Sequence, residues 1–284
     1  MSNSAPFAPA LSRLKPRIRA ILGVLKLEVP SRRLLRNFRA QIDLRHVQRR
    51  TTLLGGVPHP RTAGSEVIVL CVVRNGELYI GDFVDHHLRL GVDHFVFLDN
   101  RSTDGTLPVL LKRDHVTVLT CSATYGRYGL AMKQYLIREY GNDGWTLLAD
   151  IDELFDYPHS DRLPLNGLTA YLGSNGYSVL ATHMLDMFRY ESAGDETPHW
   201  SSSLMEQYRH FDLSGLESMD YEHLLERPLD SVVRPRVPFY VGGLRQRSFG
   251  TSRWLSKHAF FDGRRISHLD YHMHFVRRAA LAEI

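Results

Sequence analysis

The sequence predicts an α/β fold with a mostly parallel central sheet and helices on both faces. Three observations carry this. Residues 67–73 form a short, continuous β-branched run, residues 94–98 read as a second strand, and the apolar run 145–149 breaks off at a pair of aspartates. Runs without polar alternation are the pattern of strands covered on both faces. A helical stretch joins the first two, and a strand, crossover and strand succession makes them parallel neighbours. At 284 residues and 43% hydrophobic content, the chain can bury the core of one α/β domain plus extensions.

Residues 1–50 hold twelve Lys or Arg against two acids, so the remaining chain, with 23 Lys or Arg against 29 acids, is net negative. Leu11, Leu14, Ile18, Ile21, Leu22 and Leu25 recur at helical spacing among Arg13, Lys15, Arg17, Arg19 and Lys26, with Pro16 near the helix start. The expectation is a basic, partly helical extension over 1–62, followed by one domain over 63–284. Such an extension suits an anionic membrane surface, or a basic tail that docks on its own domain. Few aromatics and no recognition module argue against nucleic acid.

The first strand stops at Arg74-Asn75-Gly76. Leu78, Phe83, Val84, Leu88 and Leu90 then approximate one helical face, which Gly91 ends. The second strand closes on the polar loop Asp99 to Thr106. A third strand is expected over 116–120, and a helix carrying Leu130, Met132, Tyr135, Leu136 and Ile137 is expected to end near Gly141. Residues 178–185 read as a further core strand with Asp186 at its end. Residues 192–236 show no sustained period and suit loops and short helices. From Tyr240 the chain turns glycine-bearing and basic, through Gly242, Gly243, Arg245, Arg247, Arg253, Lys257 and His258, as a solvated loop or a phosphate-covering lid would be.

Cys71 and Cys121 lie in or at the end of strands and read as small buried residues of a reducing compartment. No run of about 18 apolar residues and no secretory signal core is visible, so a cytoplasmic protein is expected, peripheral at most on the inner membrane face.

The chemistry centres on Asp150-Ile151-Asp152-Glu153. If the run continues as a strand, Asp150 and Asp152 share a face and repel unless a cation sits between them. Oxygen-ligated divalent metal is the usual solution, and the carboxyl ends of open α/β sheets are where ligands bind. A pair of solvated acids in a turn is the plain alternative. Asp99 is a candidate acceptor for a ribose hydroxyl or base N–H, with turn amides following it.

Together, Arg74-Asn75-Gly76-Glu77, Leu90-Gly91-Val92-Asp93-His94-Phe95, Asp99-Asn100-Arg101-Ser102-Thr103-Asp104-Gly105-Thr106 and Asp150-Ile151-Asp152-Glu153 resemble a branch of the family 2 glycosyltransferases. The resemblance covers about residues 67–158. It implies a GT-A fold, a donor half over 63–158, an acceptor side and lid over 159–284, a nucleotide-sugar donor (UDP-sugar by default), and Mn²⁺ or Mg²⁺. The acceptor would be a hydroxyl of a saccharide, lipid-linked or protein molecule. Carried over by residue, Arg74, Asn75, Asp99, Asn100, Ser102, Asp104 and Asp150 match donor-binding positions. Glu77 stands one residue later than the family's usual acid, where this chain has Gly76, and Gln134 matches a helix residue near the donor. Asp150 and Asp152 match metal ligands. His272 and His274 are similar to a late histidine ligand. A base for the acceptor hydroxyl would come from Asp186, Asp195, Glu196, Asp212, Glu217 or Asp220, none of which the spacing singles out; Asp186, at a strand end, is a catalytic candidate that could equally be a cap. Two other readings are a non-catalytic nucleotide- or polyanion-binding domain at a membrane, and a haloacid dehalogenase-like phosphatase. The phosphatase would want Thr or Val where this chain has Leu154 and a nucleophile near its domain start.

Overall fold

The structure is a computed structural model and describes residues 32–60, 66–190, 203–220, 237–250, 254–268, 271–272, 275–276 and 281–282. Helix α1 (Arg32–Gln48) leads into β1 (Thr51–Gly55). Then follow β2 (Ile68–Val73), α2 (Ile80–Leu90), β3 (His94–Asp99), α3 (Thr106–Leu110), β4 (Val116–Cys121), α4 (Tyr125–Tyr140) and β5 (Trp145–Leu148). Beyond them lie α5 (Leu165–Ser174), β6 (Val179–His183), β7 (Met187–Phe188), α6 (Leu204–Gln207), β8 (His210–Phe211), β9 (Leu216–Asp220), β10 (Pro238–Gly242), α7 (Gly243–Phe249) and β11 (Ser256–Asp262). Three two-residue strands complete the described chain: β12 (Tyr271–His272), β13 (Phe275–Val276) and β14 (Leu281–Ala282).

Eight strands form the main sheet in the order β1-β4-β3-β2-β5-β11-β6-β14. Strands β4, β3, β2 and β5 run parallel, and so do β6 and β14; β1 and β11 are antiparallel to their neighbours. Alternate residues of β2 feed two cores. Ile68 and Leu70 join Met132 and Leu136 of α4 and Leu44 and Val47 of α1 on one face. Val69, Cys71 and Val73 join Ile80, Phe83 and Val84 of α2, Leu110 of α3 and Leu165, Leu168 and Leu172 of α5 on the other. Helices on both faces explain the unbroken apolar character of β2 and β3. Both cysteines are buried and free. Among the described residues, no helix is long and apolar enough to cross a membrane.

Four sequence expectations need correction. Helix α2 buries Ile80, Phe83, Val84, His86, His87 and, as expected, Leu90, while Leu78 and Leu88 are exposed. The helix starts at Ile80, which sets its phase, and Leu78 belongs to the preceding turn. Strand β5 ends at Leu148, and the amide of Glu153 donates to the Asp150 carbonyl at 3.0 Å, so Asp150 and Asp152 lie in a turn where strand alternation does not apply. Residues 32–55, read as extension, are part of the sheet's body: α1 packs on α4, and β1 pairs with β4. Lys257 and His258 lie on fully buried β11 rather than in a lid. Residues 1–31, with the expected N-terminal helix, lie outside the described residues.

Candidate active site

Because β2, β3 and β5 are parallel neighbours, the loops after them open on one edge of the sheet. Arg74 to Glu77, Asn100 to Gly105 and Asp150 to Glu153 are thereby brought together. Strand β6 ends at the same edge, three residues before Asp186. Strand β11 starts there, because it runs antiparallel to β5 with Phe260 opposite Leu147, which carries Lys257 towards Asp150.

The first two loops fasten each other. The Asn75 amide donates to Ser102 Oγ at 2.8 Å, and Asn75 Oδ1 accepts from the Thr103 amide at 2.8 Å. The Gly76 amide donates to Thr106 Oγ1 at 2.8 Å, and the Gly105 amide donates to Glu77 Oε2 at 2.8 Å. Asp104 accepts from the Glu77 amide at 3.3 Å and from the Thr106 hydroxyl at 2.5 Å. Although desolvation opposes it, these bonds hold the Asp104 carboxyl below its ordinary proton affinity. Asn75 and Arg101 both have positive φ, 54° and 64°, a conformation these interlocking bonds stabilise. Glu77, one residue late in the motif, thus closes this staple. Arg74 is exposed beside it.

Asp99 and Asn100 lie beneath. Asn100 is 3% exposed and donates to the carbonyls of Cys121 and Ala123, both at 2.8 Å, tying the end of β3 to the exit of β4. Asp99 is 1% exposed. Its Oδ2 accepts the Ser102 amide at 3.2 Å, and its Oδ1 is buried with no hydrogen-bond partner. A buried carboxylate oxygen without a donor is costly unless something else donates to it.

The third loop is charged. Lys133 of α4 is buried, and its Nζ donates to Asp150 Oδ1 at 2.9 Å. Burial alone would lower the lysine's proton affinity. Tyr271 and the Asp150 carboxylate reverse that and hold it above the ordinary lysine range. Glu153 accepts the Asp150 amide at 3.0 Å and pairs with Lys257 of β11. Asp152 has an exposed side chain, yet the crowded turn desolvates it, and Glu153 and Asp150 repel its charge. Both effects raise its proton affinity against the opposing pull of Lys257. Two histidines of α2 grip the next stretch: His86 Nε2 lies 2.6 Å from the Phe155 carbonyl, and the Phe155 amide donates to His87 Nε2 at 3.3 Å.

Gln134 is buried and donates to the Tyr271 carbonyl at 3.0 Å, so it holds the backbone of β12. Asp186 Oδ1 accepts from Arg245 Nε of α7 at 2.7 Å and lies 2.6 Å from its Nη2, while Asp186 Oδ2 is buried without a partner. Asp212 is paired with Arg247. His274 and the side chain of His272 lie outside the described residues, as do Asp195 and Glu196. Among the described residues, no group of three or more His, Cys, Asp or Glu side chains is placed to hold a metal ion.

Sequence reading missed Lys133. The available signal was its setting: α4 buries Ala131, Met132, Lys133, Gln134, Tyr135, Leu136 and Ile137 in succession, and a lysine in such a helix requires an anionic partner.

No protein-family profile and no curated protein matches the sequence. Among solved structures, S. aureus TarS 1–349 overlaps 47% of this chain and 38% of its own at 20% identity and a TM-score of 0.32. Its complex with UDP overlaps equally, at 19% identity and a TM-score of 0.33. A 4-diphosphocytidyl-2C-methyl-D-erythritol synthase overlaps 46% of this chain and 65% of its own at 15% identity and a TM-score of 0.29. The chain therefore spans less than half the length of TarS 1–349, and overlaps this partial decide neither the fold nor the activity.

Proposed function

We propose that this chain is a GT-A-like glycosyltransferase that moves a sugar from a nucleoside diphosphate donor, UDP-sugar by default, to a hydroxyl acceptor. One observation carries the reading: at the convergence of three parallel strand ends, Asp99 keeps a buried carboxylate oxygen with no donor, beneath the stapled Arg74 and Ser102 loops. A base N–H or ribose hydroxyl supplies the missing donor. The motif resemblance supports the same assignment.

Asp150 and Asp152 fit a hard divalent cation, Mn²⁺ or Mg²⁺, in one respect: Asp152 is an exposed carboxylate crowded by Asp150 and Glu153 and short of positive charge. Asp152 and the Asp150 oxygen not engaged by Lys133 would hold it, with His272 and His274 as further candidates. When bound, the cation offsets the charge of the departing diphosphate. Lys133 holds Asp150 in place by its ion pair, and Lys257 does the same for Glu153. Asp186, held by Arg245, is the proposed base for the acceptor hydroxyl.

The test is donor turnover by wild type and Asp152→Asn. The reading expects metal-dependent release of nucleoside diphosphate by wild type and its loss in a variant with unchanged thermal unfolding. Equal turnover by both refutes the assignment of Asp152. Nucleotide binding with no turnover at any acceptor selects the non-catalytic reading instead.

A further inference from the structure

Helix α1 is apolar on two sides. Inward, Leu44 and Val47 are fully buried in the core. Outward, Phe38, Ile42, Arg45 and Arg49 follow one another at spacings of four, three and four residues, which places them on a single stripe. Phe38 is 67% exposed and Ile42 is 49% exposed. A helix that needs only its core contact has no use for an outer apolar stripe. Beside the stripe runs an open groove of about 300 Å³ lined by Ile42, Arg45, His46, Arg49 and Arg50. His46 is fixed there by stacking on Tyr128, with ring centroids 4.2 Å apart. Among the described residues, Arg45, Arg49 and Arg50 form no ion pair. The chain passes directly from Arg49-Arg50 into edge strand β1, whose Leu53 and Leu54 are also exposed.

We infer that the outward face of α1 docks onto an anionic lipid surface. Phe38 and Ile42 enter the head-group boundary, and the exposed guanidinium groups of Arg45, Arg49 and Arg50 around the groove meet lipid phosphates. Charge complementarity selects this occupant: residues 32–50 hold seven Arg against one acid, Asp43, whereas residues 51–284 are net negative. An anionic surface is therefore attracted to this side and repelled by the remainder. Exposed apolar side chains interleaved with arginines suit a bilayer better than a soluble anion, which has no use for Phe38 or Ile42. The inference is independent of the glycosyltransferase reading, and either can fail alone.

The experiment is sedimentation of the full chain with phosphatidylcholine vesicles, with and without phosphatidylglycerol. Wild type is expected to partition only onto the anionic vesicles, and less so as salt rises. Each basic side chain near an anionic bilayer strengthens binding about fivefold, so Arg45→Gln with Arg49→Gln should weaken partition about 25-fold. Phe38→Ser with Ile42→Ser should weaken it about tenfold or more. All four side chains are exposed, so both pairs are expected to keep the wild-type unfolding midpoint. If one pair unfolds, single Ile42→Ser and Arg49→Gln exchanges carry the comparison. Failure of wild type to sediment with anionic vesicles, or equal partition of wild type and both variants, overturns the inference. Inorganic pyrophosphate binding that depends on Arg45 and Arg49, with no vesicle binding, also overturns it in favour of a soluble anion.

Discussion

Replacing Lys133 by Met removes the ammonium that holds the first aspartate of the turn. The donor and acceptor are 2.9 Å apart; the lysine side chain is 9% exposed and the aspartate 36%. Removing one partner of a fully buried ion pair costs about 3–5 kcal/mol, because the other charge is left uncompensated. Solvent reaches Asp150 and recovers part of that, leaving about 1–3 kcal/mol. For a chain of this size, such a loss lowers the unfolding midpoint by roughly 3–10 °C. The assay is circular dichroism melting of wild type, Lys133→Met, Asp150→Asn and the double variant. The double variant should lose less than the sum of the singles by about 1 kcal/mol or more. Because folding raises the lysine's proton affinity, its contribution is complete below the ordinary lysine pKa of about 10.4 and is lost only as pH rises through the higher folded value. The gap between wild type and Lys133→Met should therefore stay constant from neutral pH to about pH 10. Melting of Lys133→Met within about 1 °C of wild type would refute the claim that this pair holds the turn.

Acid should destabilise the fold through its buried histidines. Burial lowers His87 and His258 to about 3 and His94 to about 4. Their contribution is present above the unfolded histidine pKa of about 6.5 and is lost as pH falls below it, by about 1.4 kcal/mol per residue per pH unit. Urea unfolding at pH 7.5 and 5.5 should thus differ by roughly 4 kcal/mol, and a flat profile would contradict burial of the neutral forms. Asp186→Asn should lower turnover about 100-fold or more while leaving donor affinity unchanged, as steady-state kinetics beside calorimetric donor titration would show. An unchanged turnover would remove Asp186 from the chemistry.

Strands β2, β3 and β4 were legible because each is a short apolar run closed by a polar loop, and Gly141 marked the end of α4. Other parts depend on pairings that residue type does not display. Strand β11 carries Lys257, His258 and Asp262 into full burial. It does so because Lys257 meets Glu153, His258 Nδ1 accepts the Val276 amide at 2.9 Å, and Asp262 takes Arg264. A pattern of hydrophobicity reads those charges as exposed. Strand β1 is five residues long, with three of them exposed, too little to show alternation. At the site, sequence supplied the acids and their order along the chain. The interlocking of Asn75, Glu77, Ser102 and Asp104, and the lysine from α4, come from loops meeting across parallel strands.

The central claim is a nucleoside diphosphate site built on Asp99. The most direct measurement is the thermal shift of wild type and Asp99→Asn with UDP, GDP and dTDP, each with Mn²⁺, Mg²⁺ or chelator, since a ligand that binds only the folded state raises its midpoint. One metal-dependent nucleoside diphosphate shift is predicted for wild type. Asp99→Asn can keep the Ser102 contact through its amide oxygen, and should bind about 10- to 100-fold more weakly. A variant that responds to the nucleotide as wild type does, or a wild type that responds to none, would contradict the claim.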